Sequence, residues 1–195
     1  MNFNKPLFAL LASSFLFFTS CSESKKTDTK DKNDKLIAQA NIVTEEKIPN
    51  LSELVSGDIG FEKFNTLIAD TEFKELLAQK GPYTVFVPLN GAIEKLHPKL
   101  IESLKKPESK TKLTQIMNCH IIPGLINRDD IVKAIKENGG SVTLKTLGGV
   151  RLLASMKRDK IYLIDKAGNA GRLMVNDLEA TNGIVHTIES VMMPK

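Results

Sequence analysis

Apolar residues in the first two-thirds of this chain recur every three or four positions, and from Ser141 onward they alternate. The first spacing predicts helices and the second predicts strands. Pro49-Asn50 opens a helical stretch with Leu51, Leu54 and Val55 on one face. Phe61, Phe64, Leu67 and Ile68 follow at helical spacing, and Phe73, Leu76 and Leu77 follow a cap near Asp70-Thr71. Gly81-Pro82 ends this helical hairpin. Thr84-Val85-Phe86-Val87 interrupts the helical run with β-branched and aromatic residues. Both of its alternating faces are apolar, which predicts a strand covered on two sides. Pro88 stops it, lacking an N–H for the ladder. Asn90 is the expected cap of a turn carrying Ala92, Ile93 and Leu96 inward.

Leu100-Ile101-Leu104 and Leu113-Ile116-Met117 predict two more short helices, parted at Lys106-Pro107. A strand is expected around Ile121-Ile122, ending at Pro123-Gly124. Asn127 caps a helix over Asp129–Glu137, with Ile131, Ala134 and Ile135 inward and Asn138-Gly139-Gly140 as its stop. The alternating part predicts strands at Val142–Leu144, Val150–Leu153, Ile161–Ile164 and Leu173–Val175, with turns at Gly148-Gly149 and Ala167–Asn169. A last strand places Ile184, His186 and Ile188 on one face. Helices first, hairpin strands later and one strand inserted early make an α+β pattern without βαβ repeats.

The N-terminus is of another kind. Lys5 is followed by an apolar run, Leu7–Phe18, broken only by Ser13 and Ser14. That run is short for a membrane span, which needs about 20 apolar residues. It reads as a signal segment over residues 1–20. Phe18-Thr19-Ser20-Cys21 resembles a bacterial lipobox, and the resemblance implies cleavage before Cys21 and lipid on its thiol. Several acyl chains on one residue give stable anchoring, at about 0.8 kcal/mol per buried methylene. Ser22 then follows the lipidated residue, and by the sorting rule of some Gram-negative bacteria this implies the outer membrane. Residues 21–47 carry mixed charge and little apolar surface, so a flexible tether is expected. A coil of about 25 residues reaches roughly 25–30 Å. Within it, Leu36–Val43 is mildly apolar, enough for an extra strand or short helix.

The remaining residues, 48–194, suffice for one domain with a real core. The formal charge of +4 includes Lys5, so the mature chain is only mildly basic. No aromatic-basic pattern supports nucleic-acid binding. Of two cysteines, Cys21 is accounted for, which leaves Cys119 as a lone thiol among apolar residues, expected to be buried and inert. The three histidines form no metal-binding spacing. His97, before Pro98, is expected in solvent. His120 and His186 lie among Ile and Val, as imidazoles bonded to backbone or to a polar partner such as Thr84 or Asn90. Ser103/Lys106 and Ser109/Lys112 match Ser-x-x-Lys but lack the companion motifs of that chemistry. Asp129-Asp130 fits helix capping. No catalytic constellation and no cofactor are expected.

Three segments carry a family resemblance: Gly81–Leu96, Cys119–Gly124 and Asn182–Glu189, the last followed by Val191–Pro194. In this order they resemble the signature blocks of the fasciclin domain. The resemblance implies a compact β-wedge flanked by small helices. It implies a non-catalytic adhesion or binding module with protein or polysaccharide partners, and places the candidate partner-binding residues at Cys119 and His120. Cys119 stands where the family carries Tyr, which removes a large amphipathic contact. Leu89 replaces the usual Thr, and Gly91 the usual acidic residue. Two alternatives remain open: a small-ligand or enzymatic envelope protein using His120 or His186, and a structural envelope component paired with another membrane protein.

Overall fold

The computed structural model describes residues 47–175 and 177–194. Cys21, the signal segment and Leu36–Val43 lie outside the described residues. Helix α1 (Leu51–Gly57) opens with a capping box, in which Asn50 and Glu53 bond each other's backbone N–H. A 3-10 turn at Ile59–Phe61 leads into α2 (Glu62–Ile68), and α3 (Glu72–Ala78) follows. Strand β1 (Tyr83–Pro88) comes next, then α4 (Asn90–Glu94), α5 (Pro98–Leu104), a second 3-10 turn at Pro107–Ser109 and α6 (Lys110–Asn118). Strand β2 (Ile121–Pro123) precedes α7 (Arg128–Glu137), capped by Asn127 and Asp130 as a second box. Six strands complete the chain: β3 (Ser141–Lys145), β4 (Arg151–Lys157), β5 (Lys160–Ile164), β6 (Ala170–Arg172), β7 (Leu178–Ala180) and β8 (Gly183–Ile188). This is the α+β architecture expected of the sequence.

Two four-stranded sheets form, ordered β2-β1-β8-β7 and β3-β4-β5-β6. The second is an antiparallel meander. In the first, β1 and β8 run parallel with Tyr83 opposite Gly183 and Pro88 opposite Ile188. The early apolar strand and the terminal one are thus direct neighbours. Their side chains divide between two cores. Val85, Val87, Ile121 and Val185 pack with α1, α2, α3, α5 and α6, among them Leu51, Phe64, Phe73 and Met117. Phe86, Ile122 and Ile188 face the other way, with Ile131 and Ile135 of α7 and Leu152, Ala154 and Leu163 of the meander. The two apolar faces of β1 therefore have separate partners.

The parallel start of β1 and β8 requires glycine twice. A Cβ on Gly81 would overlap the Asn182 carbonyl, and one on Gly183 would overlap the Tyr83 carbonyl. Asn182 itself is a clamp. Its Oδ1 accepts from Leu51 N–H at 2.8 Å, and its Nδ2 donates to the Leu77 and Gln79 carbonyls at 2.9 and 2.7 Å. It ties the first residue of α1 and the end of α3 to the entry of β8.

The structure departs from the sequence reading in several places. Asn90 does not cap its own helix; its Oδ1 accepts from Lys63 N–H at 2.9 Å and its Nδ2 donates to the Ile59 carbonyl at 2.8 Å. It serves the start of α2, 27 residues upstream, because Leu89 takes the cap position. Thr71 turns its hydroxyl back to the Ile68 carbonyl rather than forward. Leu173–Val175 is not a strand of the meander. Leu173 N–H still donates to Ile161, yet Leu173 also bridges Ile188, and Met174 N–H donates to the Thr187 carbonyl. The chain changes sheets at Leu173, which period alone does not reveal. The turn between β4 and β5 is Arg158-Asp159, with φ of 49° and 61° and no glycine, so it lacks the usual residue signal for a two-residue hairpin.

Candidate functional site

His120 and His186 are fully enclosed. His120 Nδ1 lies 2.8 Å from the Ile116 carbonyl, which only accepts, so Nδ1 carries the proton. Its Nε2 accepts from Met192 N–H at 2.9 Å. His186 uses the opposite tautomer: Nε2–H donates to the Ile126 carbonyl at 2.8 Å and Nδ1 accepts from Asp177 N–H at 3.3 Å. Burial lowers the pKa of both rings, His120 to about 4, against smaller upward pulls from the Ile116 carbonyl and Asp165 at His120, and from the Ile126 carbonyl and Asp177 at His186. Both are neutral at pH 7. Thr84 and Asn90, the expected side-chain partners, bond elsewhere: Thr84 Oγ1 donates to the Gly124 carbonyl and accepts from Ile126 N–H, each at 2.8 Å.

Cys119 is the C-cap of α6. It is 0% exposed, and its thiol contacts the Gln115 carbonyl at 3.2 Å. Burial, aided by Asp165, pushes its pKa up to about 11, so it is a protonated thiol and a poor nucleophile. The two residues singled out as partner contacts, Cys119 and His120, are thus enclosed, because the end of α6 is covered by the meander and by the C-terminal segment. His97 caps α5, its Nδ1 accepting from Lys99 N–H at 3.2 Å.

Asp165 was silent in the sequence. It is buried, and its carboxylate accepts from Ala167 N–H, Asn169 N–H, Asn169 Nδ2 and Met193 N–H at 2.8–2.9 Å. The Asp at the head of the Ala167–Asn169 turn is the signal for the local part of this network; the bond to Met193 joins residues 28 apart.

Accessible chemistry gathers instead where two segments meet beside β8. The first, Gly124–Arg128, leaves β2 with Gly124 at φ +106° and is held by Thr84 and His186. The second follows β6. Arg128 N–H donates to Asp177 Oδ1 at 2.8 Å and joins them. Leu125 on the first is 58% exposed and Val175 on the second 52%. A cavity of about 340 Å³ opens alongside. Arg128, Lys160, Arg172 and Asp159 line it together with Ile161, Leu173 and Met174. The Arg172 guanidinium is fixed by Glu189 at 3.4 Å and by Met174 Sδ at 3.2 Å. Among the described residues, no group of three or more His, Cys, Asp or Glu is placed to hold a metal ion.

The architecture has known counterparts. A family model of the fasciclin domain matches residues 59–194. The chain belongs to the fasciclin domain family. Its fold is similar to part of a FAS1 domain pair from the insect cell adhesion molecule fasciclin I, with a TM-score of 0.67 at 20% identity, over 75% of this chain and 51% of that one. The chain spans about half of that pair. It is 32% identical over 169 residues to Protein sll1483 of Synechocystis sp., covering 81% of this chain and 87% of the relative. It is 29% identical over 145 residues to periostin of Homo sapiens, covering 74% of this chain but 16% of periostin.

Proposed function

We propose that this fasciclin protein is a non-catalytic binding module of a bacterial cell envelope. Lipid on Cys21 would hold it at the outer membrane, and it would recognise protein or polysaccharide through its surface. One observation carries the reading. The candidate reactive residues Cys119, His120 and His186 are enclosed and bonded to main chain, whereas two of the exposed apolar side chains, Leu125 and Val175, sit on two adjoining segments beside β8. Exposed apolar side chains set among charged ones are the composition of a contact surface. The fasciclin I domain pair comes from a cell adhesion molecule, which supports the same reading.

Beads coated with the protein are expected to adhere to cell-surface or matrix preparations. Leu125→Asp with Val175→Asp should reduce adhesion at least tenfold without changing the melting temperature. Unaltered adhesion in that variant, or saturable stabilisation by a small metabolite in place of any adhesion, would overturn the proposal. Labelled palmitate should enter the wild type and not Cys21→Ala; equal labelling would remove the anchor.

A further inference from the structure

The cationic cavity beside the two segments has its own chemistry. Three cations, Arg128, Lys160 and Arg172, line it against one carboxylate, Asp159. Asp129, the contact of Arg128 at 3.4 Å, is 91% exposed, so it binds that guanidinium weakly. Arg172 is better held: its pair with Glu189 and its Nε–H to Met174 Sδ fix the guanidinium plane and leave N–H donors over. A planar, pre-oriented guanidinium favours a carboxylate. Ile161, Leu173 and Met174 also line it; Ile161 and Leu173 are nearly buried, and Met174, 39% exposed, lies beside the Arg172 guanidinium. The occupant therefore needs an anionic group with a C–H face next to it.

We infer that this cavity binds one hexuronate unit of an acidic polysaccharide, its carboxylate toward Arg128 and Arg172 and its ring face against Met174. The inference rests on the binding-module reading and names the ligand class. The volume favours a sugar over an acidic peptide. At about 340 Å³ the cavity falls within the range of small-molecule sites, roughly 300–1,000 Å³. A single Asp or Glu side chain would leave most of it unfilled, whereas a pyranose ring fills more and reaches Met174. Lys160, at the β4–β5 turn, would meet a neighbouring unit or hydroxyl as a mobile point charge.

The test uses the full chain in detergent micelles, passed over immobilised polygalacturonate, neutral dextran and poly-glutamate. Binding to polygalacturonate is expected, falling as salt rises, with little binding to dextran. Arg128→Gln and Lys160→Glu should each weaken it at least fivefold, and together at least tenfold, at an unchanged melting temperature. Absence of polygalacturonate binding, equal binding by the double variant, or stronger binding to poly-glutamate would overturn the inference. Bead adhesion by the wild type without any polygalacturonate binding removes the uronate assignment and leaves the binding-module reading standing, whereas loss of both removes the two together.

Discussion

At the scale of single residues, the two buried imidazoles show how polar atoms survive inside a β-wedge. Each ring is satisfied by one carbonyl and one backbone N–H, in opposite tautomers. That pairing suits only the neutral ring, since a protonated His120 would turn Nε2–H against Met192 N–H. The unfolded chain protonates this histidine near pH 6.5, and the folded chain only near 4. Protons therefore favour the unfolded state between those values. The stability contribution is fully present above about pH 6.5 and is lost as pH falls toward 4, by up to about 3 kcal/mol. Urea midpoints at pH 7.5 and 4.5 should show a fall for the wild type, and a smaller fall for His120→Ala, which starts less stable. An equal fall in both would show that His120 is not the group responsible. The sequence made the burial of these rings legible through their Ile and Val neighbours. It could not name their partners, which come from Ile116 and Met192 for one ring and Ile126 and Asp177 for the other.

Elements in this fold are held by asparagines acting at a distance. Asn182 makes three bonds to the backbone around α1 and α3, and Asn90 makes two around the start of α2. Loss of hydrogen-bond partners from enclosed backbone groups costs about 1–3 kcal/mol per group. Asn182→Ala is expected to cost at least about 2 kcal/mol and more than Asn90→Ala, whose bonds are exposed; denaturant titration of both variants measures the order, and a larger loss at Asn90 would contradict it. Gly91 behaves differently. Nothing lies within 4 Å of where its Cβ would be. Gly91→Ala should therefore raise the melting temperature, by up to about 1 kcal/mol of stability, and a fall would mean that the site needs glycine for another reason. The local pattern marked Asn90 as a helix cap, and Asn182 stood at the head of the closing block of the family resemblance. A cap or turn signal names a residue with free polar atoms; the segment that uses them is chosen by packing.

Over the whole molecule, the decisive contact is the parallel pairing of β1 with β8, which joins residues about a hundred positions apart. All six positions of β8 are buried. It is flanked by β1 on one side and by β7 on the other. A chain ending before Gly183 would expose both neighbours and both cores. It should show no cooperative unfolding in urea, whereas a cooperative transition near the full-length midpoint would mean that the first sheet closes without its central strand.

Period and punctuation alone carried most of the elements: the helix starts at Asn50 and Asn127, the doubly apolar β1, the glycine stop after α7 and the α+β order, because these depend on neighbours within about four residues. The short β7, the change of sheet at Leu173, the carboxylate of Asp165 reaching Met193 and the cationic cavity did not follow from local sequence. Each brings together side chains or backbone atoms from elements whose approach is set by how two cores fill, and a linear pattern specifies which faces are apolar without specifying which face meets which.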